Sequence, residues 1–282
     1  MTTPDSSASA AGVASARSTR LLLVAAPSIL ALAAAAVPAA RLPILLVLVA
    51  GLLVVRRSDV AAVSLAWAAP IPVAVVLACT LVPEPEIART LAACADPLSP
   101  RAIRRVAIAV VVLLMAVVVA RVARAPSADL RLRRPSRAVG IASVAALGLA
   151  APMAVYLGPA LAEPFFGPVG FAIATPLALI PAFTFAIANA VEEEVAYRGA
   201  WLGWGETAMG PLLAIVAQAL AFGLAHGGSD FVGPQLPVIA AMVAGGAIAA
   251  IIARRTGSLA LPIALHAAAD VPMFLYAVCP PA

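Results

Sequence analysis

Nine apolar runs follow one another along this chain with short polar breaks between them. They are Leu21–Ala40, Leu42–Val55, Val60–Val82, Val106–Ala120, Val139–Ala162, Phe171–Val191, Pro211–His226, Leu236–Ala253 and Leu259–Cys279. A helix needs about 20 apolar residues to cross the hydrocarbon core of a bilayer. No single soluble core has room for so many runs. The 282 residues are 64% hydrophobic and only 11% charged, where a soluble domain carries about 25% charged residues. A disordered chain is excluded as well, since disorder needs low hydrophobicity and high net charge. The sequence therefore predicts an all-α, polytopic membrane helical bundle. Leu42–Val55 is short for a span, so eight or nine transmembrane helices are expected. The short Val106–Ala120 run is helped by Arg121 and Arg124, which can snorkel to the interface. Residues 1–19, rich in Ser, Ala and Thr, read as a disordered tail. Residues 20–138 read as membrane helices without an assigned role, and 139–282 as the functional core.

The net charge of +5 comes with no lysine at all; all 18 basic residues are arginine. They stand in short clusters between apolar runs rather than along one face, which argues against nucleic acid as a partner. Arginine-rich loops mark the cytoplasmic side. With nine spans and the N-terminus inside, Arg56–Arg57, the Arg121–Arg137 loop and Arg254–Arg255 are cytoplasmic. Arg41, Arg89, Arg101, Arg104 and Arg105 fall outside, and the last three form a cluster that argues locally against this orientation. A multi-pass protein of the cell membrane is expected, with the lipid bilayer as its surroundings. Cys79, Cys94 and Cys279 are far apart and include no C-x-x-C pair, so neither a disulfide framework nor a thiolate zinc site is expected. Prolines inside the runs (Pro70, Pro72, Pro152, Pro159, Pro176, Pro181, Pro262 and Pro272) predict kinked or broken helices. Ala241, Gly245 and Ala249, spaced by four, fit either a close helix-packing face or plain alanine-rich composition.

Ionisable residues inside spans are costly and point to function. Those that stand out are Glu192, Glu193 and Glu194, the two histidines His226 and His266, and Asp270, all in the last third of the chain. Glu194 and Arg198 are four residues apart, share a helical face and can pair. Glu193 points about 100° away from Glu194 and has no such partner within the motif. Taken alone, this run also fits a helix end marked by charge at the interface. Phe222 precedes His226 by one turn, and His266 precedes Asp270 by one turn. With about 1.5 Å of rise per residue, Glu193 lies roughly 15 Å above the inner end of its helix, His226 near 24 Å, His266 near 12 Å and Asp270 near 18 Å. Three helices can thus bring these groups to similar depth, on the cytoplasmic side of the midplane.

Glu193-Glu194-x-x-x-Arg198, Phe222-x-x-x-His226 and His266-x-x-x-Asp270 together resemble the three-motif signature of the CPBP family. This family comprises the CAAX-protease and bacteriocin-processing (Abi) intramembrane endopeptidases. The resemblance covers roughly Val139–Cys279. It implies a helical bundle with a cavity opening to the cytosol, hydrolysis of peptide bonds near the membrane surface, and a peptide or protein substrate. Its members are commonly described as metalloproteases.

Peptide hydrolysis needs a base for water, a stabiliser for the oxyanion and a proton for the leaving amine. Glu193 is the best base. His226 can help to hold the water, and His266 can donate to the oxyanion with Asp270 orienting its ring. Where the family has Asn at the last position this chain has Asp, which cannot donate unless protonated, so an orienting or metal-ligand role is more natural. His226, His266, Glu193 and Asp270 can bind a divalent metal such as zinc, although no H-E-x-x-H helix is present, and both routes stay open. Serine chemistry lacks a G-x-S-x-G motif and has only Ser229 to recruit. The rival of another class is a catalytically silent membrane immunity or regulatory protein that binds a peptide. A transporter with a proton-relay glutamate ranks third.

Overall fold

The computed structural model describes residues 6–57, 60–84, 89–157, 176–227 and 235–279, with the side chains of 6–18 and 20 left out of the description. Every regular element within them is helical, as a chain must be when its backbone groups have no water to bond with. In chain order these are α1 (Ser6–Ala36), α2 (Arg41–Val55), α3 (Ala61–Ala68), α4 (Ile71–Cys79), the single turn α5 (Leu91–Cys94), α6 (Pro100–Ala123) and α7 (Arg137–Tyr156). Further along follow α8 (Leu179–Glu194), a π-helical stretch (Val195–Trp201), α9 (Leu202–Met209), α10 (Pro211–Ala225), α11 (Gln235–Thr256) and α12 (Ala260–Val278). Six stretches among the described residues are long and apolar enough to cross a membrane: Pro38–Val55, Ala61–Cys79, Pro100–Ala123, Arg137–Tyr156, Gln235–Thr256 and Ala260–Val278. Leu21–Ala36 and Pro211–Ala225 are shorter apolar helices. The molecule is a polytopic helical membrane bundle. The ends of two expected runs, at 158–162 and 171–175, lie outside the described residues, as do Pro159 and Ser229.

Proline and glycine punctuate the bundle. Pro70 and Pro72 divide one apolar run into α3 and α4, because proline supplies no N–H to the preceding turn. Pro152 and Pro272 are carried inside α7 and α12. Gly210 turns the chain from α9 into α10 at φ 88° and ψ 160°, a conformation open essentially to glycine alone. At Gly203 a Cβ would overlap the Asp129 carbonyl, so the short Ser127–Leu130 turn lies directly against the start of α9.

Four features differ from the sequence reading. α1 begins at Ser6, inside the segment read as a tail, in keeping with the high helix propensity of its alanines. α6 starts at Pro100, well before Val106, because Arg101, Arg104 and Arg105 are paired and do not end the helix. On α11 the close-packed face is Gly246 and Ala250, with Gly246 3.3 Å (from an added Cβ) to the Ala219 backbone of α10. Gly245 has nothing within 4 Å of such a Cβ, so the small residues at 241, 245 and 249 do not make that contact. Finally, Cys94 and Cys279 form a disulfide across 185 residues of sequence. Spacing gave no sign of it, since the bond depends on α12 ending beside α5.

The disulfide lies at the start of α6 and the end of α12. The loop after α6 and the turn before α12 lie at the opposite end of the same helices, where the Arg133 side chain donates to the Gly257 carbonyl at 2.6 Å and the Arg131 backbone carbonyl accepts from the Leu259 N–H at 3.2 Å. A bond formed in an oxidising compartment and an arginine-rich loop in the cytoplasm are therefore compatible. In sealed cells, Ser136→Cys in a Cys79→Ala background should react with an impermeant maleimide only after permeabilisation. Cys94 and Cys279 should react from outside once a reductant is added. Labelling of Ser136→Cys in intact cells would reverse this orientation.

Candidate functional site

α8 carries most of the site, and small residues explain how close its neighbours come. Ala178 just before α8, and Ala182, Ala186 and Ala190 on it, are completely buried against Ala267, Val271, Phe274 and Leu275 of α12 and Ala150 and Ala154 of α7. Alanine at four-residue spacing lets helix backbones approach, which in lipid is what drives packing. Polar side chains at the C-terminal end of α8 then meet those of α12 directly.

A cavity of about 300 Å³ opens between α8, α10, α11 and α12. Glu194, Arg198, His226, His266, Asp270 and Asn189 line its polar side, and Met242, Ile248 and Ile252 of α11 its apolar wall. Glu194 and Arg198 pair as their spacing predicts, Nη1 to Oε1 at 2.9 Å, with both side chains only 1% exposed. The same Glu194 oxygen lies 2.9 Å from His266 Nδ1. The Arg198 guanidinium also rests 4.3 Å from the centre of the Phe222 ring and 5.6 Å from that of Tyr197, a favourable cation–π setting. Glu193, which does not line the cavity, reaches His266 from the other side, its Oε2 3.6 Å from Nε2. Asp270 Oδ2 stands at the same 3.6 Å from Nε2 and accepts from Asn189 Nδ2 at 2.9 Å.

Five of the six expected residues thus form one connected cluster around the His266 ring. His226 enters the same cavity from the end of α10, its ring 4.7 Å from Phe222 and its Nδ1 2.7 Å from the Phe222 carbonyl. Since a carbonyl only accepts, Nδ1 carries the proton there. One assignment changes. The partner that orients His266 through Nδ1 is Glu194, fixed in turn by Arg198, whereas Asp270 stands beyond hydrogen-bond length on the Nε2 side. An i,i+4 pair shares a face, yet a carboxylate from the facing helix approaches the ring edge more directly. Asn189 was missed by the sequence reading, although an amide one turn before Glu193 in an apolar run was its visible signal. Glu192 was noticed but given no role, and it pairs with Arg105 of α6 at 2.8 Å.

His226, His266, Glu193 and Asp270 are the candidate zinc ligands. Both Nδ1 positions are taken, that of His266 by Glu194 and that of His226 by a backbone carbonyl, which leaves each Nε2 as the nitrogen a metal would use. Among the described residues no group of three or more His, Cys, Asp and Glu side chains is placed to hold a metal ion.

The π-helical stretch Val195–Trp201 carries Arg198 and is buried along its whole length. Such bulges are frequent at functional sites. Here the Arg198 carbonyl accepts from Arg131 Nη1 at 2.8 Å, and Arg131 also pairs with Glu206 of α9 at 3.0 Å. The arginine-rich loop after α6 is thereby fastened to the site.

Carboxylates, imidazoles and an arginine gathered in a buried cavity of a membrane bundle are the equipment of a membrane-embedded hydrolase. The family model described as type II CAAX prenyl endopeptidase Rce1-like matches residues 175–272, a segment that holds all six motif residues, and over this segment the chain is similar to that family. Nothing among the curated proteins or the solved structures matches the chain.

Glu194 joins two partners at once, so its loss should be felt in the fold. Glu194→Gln leaves Arg198 without its charge partner, and removing one member of a buried pair costs roughly 3–5 kcal/mol. Melting curves in one detergent should show Glu194→Gln and Arg198→Gln well below the parent protein. Parent-like melting of either would mean that the pair does not hold the motif.

Proposed function

We propose that the protein is an intramembrane endopeptidase that cleaves membrane-proximal peptides with a water activated by Glu193. One observation carries the reading. Glu193 and Asp270 flank His266 Nε2 at 3.6 Å each, while Nδ1 is held by Glu194 at 2.9 Å. These 3.6 Å gaps are longer than direct hydrogen bonds, so two carboxylates border the Nε2 edge and neither closes it.

In this reading Glu193 takes a proton from that water as it attacks the peptide carbonyl, and returns it to the leaving amine. His266, its Nδ1–H donated to Glu194, presents Nε2 to the reacting atoms; with a second proton, Nε2–H donates to the oxyanion. His226 lies across the cavity and helps to hold water or substrate. Asp270, held by Asn189, keeps a carboxylate beside Nε2. No step is routed through a metal. The apolar α11 wall receives an apolar stretch of the peptide, and prenylated ends are one such class. Arg131 ties the site to the loop assigned to the cytoplasm, so the cavity faces that side.

Glu193→Gln keeps size and hydrogen-bonding capacity but removes the base. Cleavage of a membrane-proximal peptide by purified protein in detergent should fall by about 10²–10⁴-fold, with melting nearly unchanged. A variant that cleaves at the parent rate would end this reading.

Metal is tested separately in the same preparation. Chelation should leave the rate unaltered, because Glu193 beside two imidazoles can activate water unaided. A rate lost on chelation and regained with zinc would place a metal in the step.

A further inference from the structure

The arginine cluster at the start of α6 is a converging set of charges. Glu84, in the segment after α4, meets all three side chains. Arg101 Nε is 2.7 Å from its Oε2, and Arg104 Nη1 and Arg105 Nη2 are 2.9 and 3.0 Å from its Oε1. Arg104 further donates to the carbonyls of Cys79 at 3.0 Å and Val82 at 2.6 Å, which anchors the end of α4.

Arg105 differs from the other two. Its second terminal nitrogen, Nη1, donates to Oε1 of the fully buried Glu192 at 2.8 Å. Its guanidinium also lies 5.4 Å from the centre of the Phe185 ring. Phe185 and Glu192 are seven residues apart on α8, about two turns, and so lie on one face. Arg105 thus grips α8 at two points along the stripe that faces α6. Consecutive helical residues differ by about 100°, so fixing Glu192 toward α6 fixes the rotation that turns Glu193 toward His266.

Stability alone does not account for such a pair. A buried ion pair is often matched or bettered by apolar side chains of similar volume. What a guanidinium adds is a rigid fork that spans two carboxylates at set angles. We propose that Arg105 is a positioning residue for the reaction: through Glu192 it sets the rotation of α8 that presents Glu193 to His266. This rests on the reading of Glu193 as the base. It gives the N-terminal half, which lies outside the family match, a part in the site.

The test measures kcat, KM and melting for purified protein in one detergent, with a membrane-proximal peptide as substrate. Arg105→Met should lower kcat by about 10²-fold, the scale of a small misplacement, with KM little changed. Because this variant leaves Glu192 unpaired and can lose stability, Arg105→Met/Glu192→Gln is measured beside it. Removing both charges should restore melting close to the parent, while kcat stays low because nothing grips α8. Arg105→Lys, which keeps the charge without the fork, should fall between the parent and Arg105→Met. If kcat recovers together with melting in the double variant, or if Arg105→Met turns over at the parent rate, the inference is wrong while the protease reading stands. If Glu193→Gln cleaves like the parent, both fall together.

Discussion

The Glu194–Arg198 pair is the constraint around which the rest of this bundle is built. Both side chains are almost completely removed from solvent, inside a molecule whose outer surface faces lipid. Neither charge survives there alone, so the surroundings must supply what water would. Glu194 receives His266 as well as Arg198 on one oxygen, and Arg198 lies over the face of Phe222. Those two contacts bring α12 and α10 to α8. The cavity lies between these helices, so its shape follows from how the pair is sheltered.

Sequence periodicity showed much of this and could not show the remainder. The apolar runs announced the helices because lipid leaves a backbone few other solutions. The Glu194–Arg198 contact was legible because both partners sit four residues apart on one strip of chain. His266 and Asp270 could be placed near the glutamates from depth alone, since rise per residue is fixed. Which carboxylate would touch which ring nitrogen was not legible. That depends on helix rotation and on the alanine face that sets the distance between α8 and α12. The same holds for Cys94 and Cys279, and for Glu84 and the three arginines. In each case the partners are separated by loops whose course no local pattern dictates.

The arginines of α6 show how an average rule meets a local structure. Counting basic residues assigns Arg101, Arg104 and Arg105 to the less basic side, where three together look out of place. They are not loop charges that steer insertion of a neighbouring span. They are the first turns of a helix, wrapped around Glu84, with one of them extended to Glu192. At the other end of α6, Arg131 and Arg133 bond to backbone carbonyls of the π-helical stretch and of the α11–α12 turn. Arginines at both ends of α6 therefore serve as fixed supports for the site.

α8 then has to satisfy polar side chains that point in different directions while remaining in an apolar medium. Asn189 is answered by Asp270, Glu192 by Arg105, Glu193 by the Nε2 edge of His266, and Glu194 by Arg198 and the Nδ1 edge of the same ring. Four partners on two helices and on the π-helical stretch leave little freedom for α8 to rotate or slide, since either motion would strand a buried charge. The alanine face brings the helices close enough for these contacts, and the contacts hold that packing in register. A helix so placed can keep adjacent glutamates in different surroundings, one closed within an ion pair and one set beside an imidazole. Chemistry by a carboxylate in lipid asks for that separation: the charges that maintain the structure must be distinct from the charge that reacts.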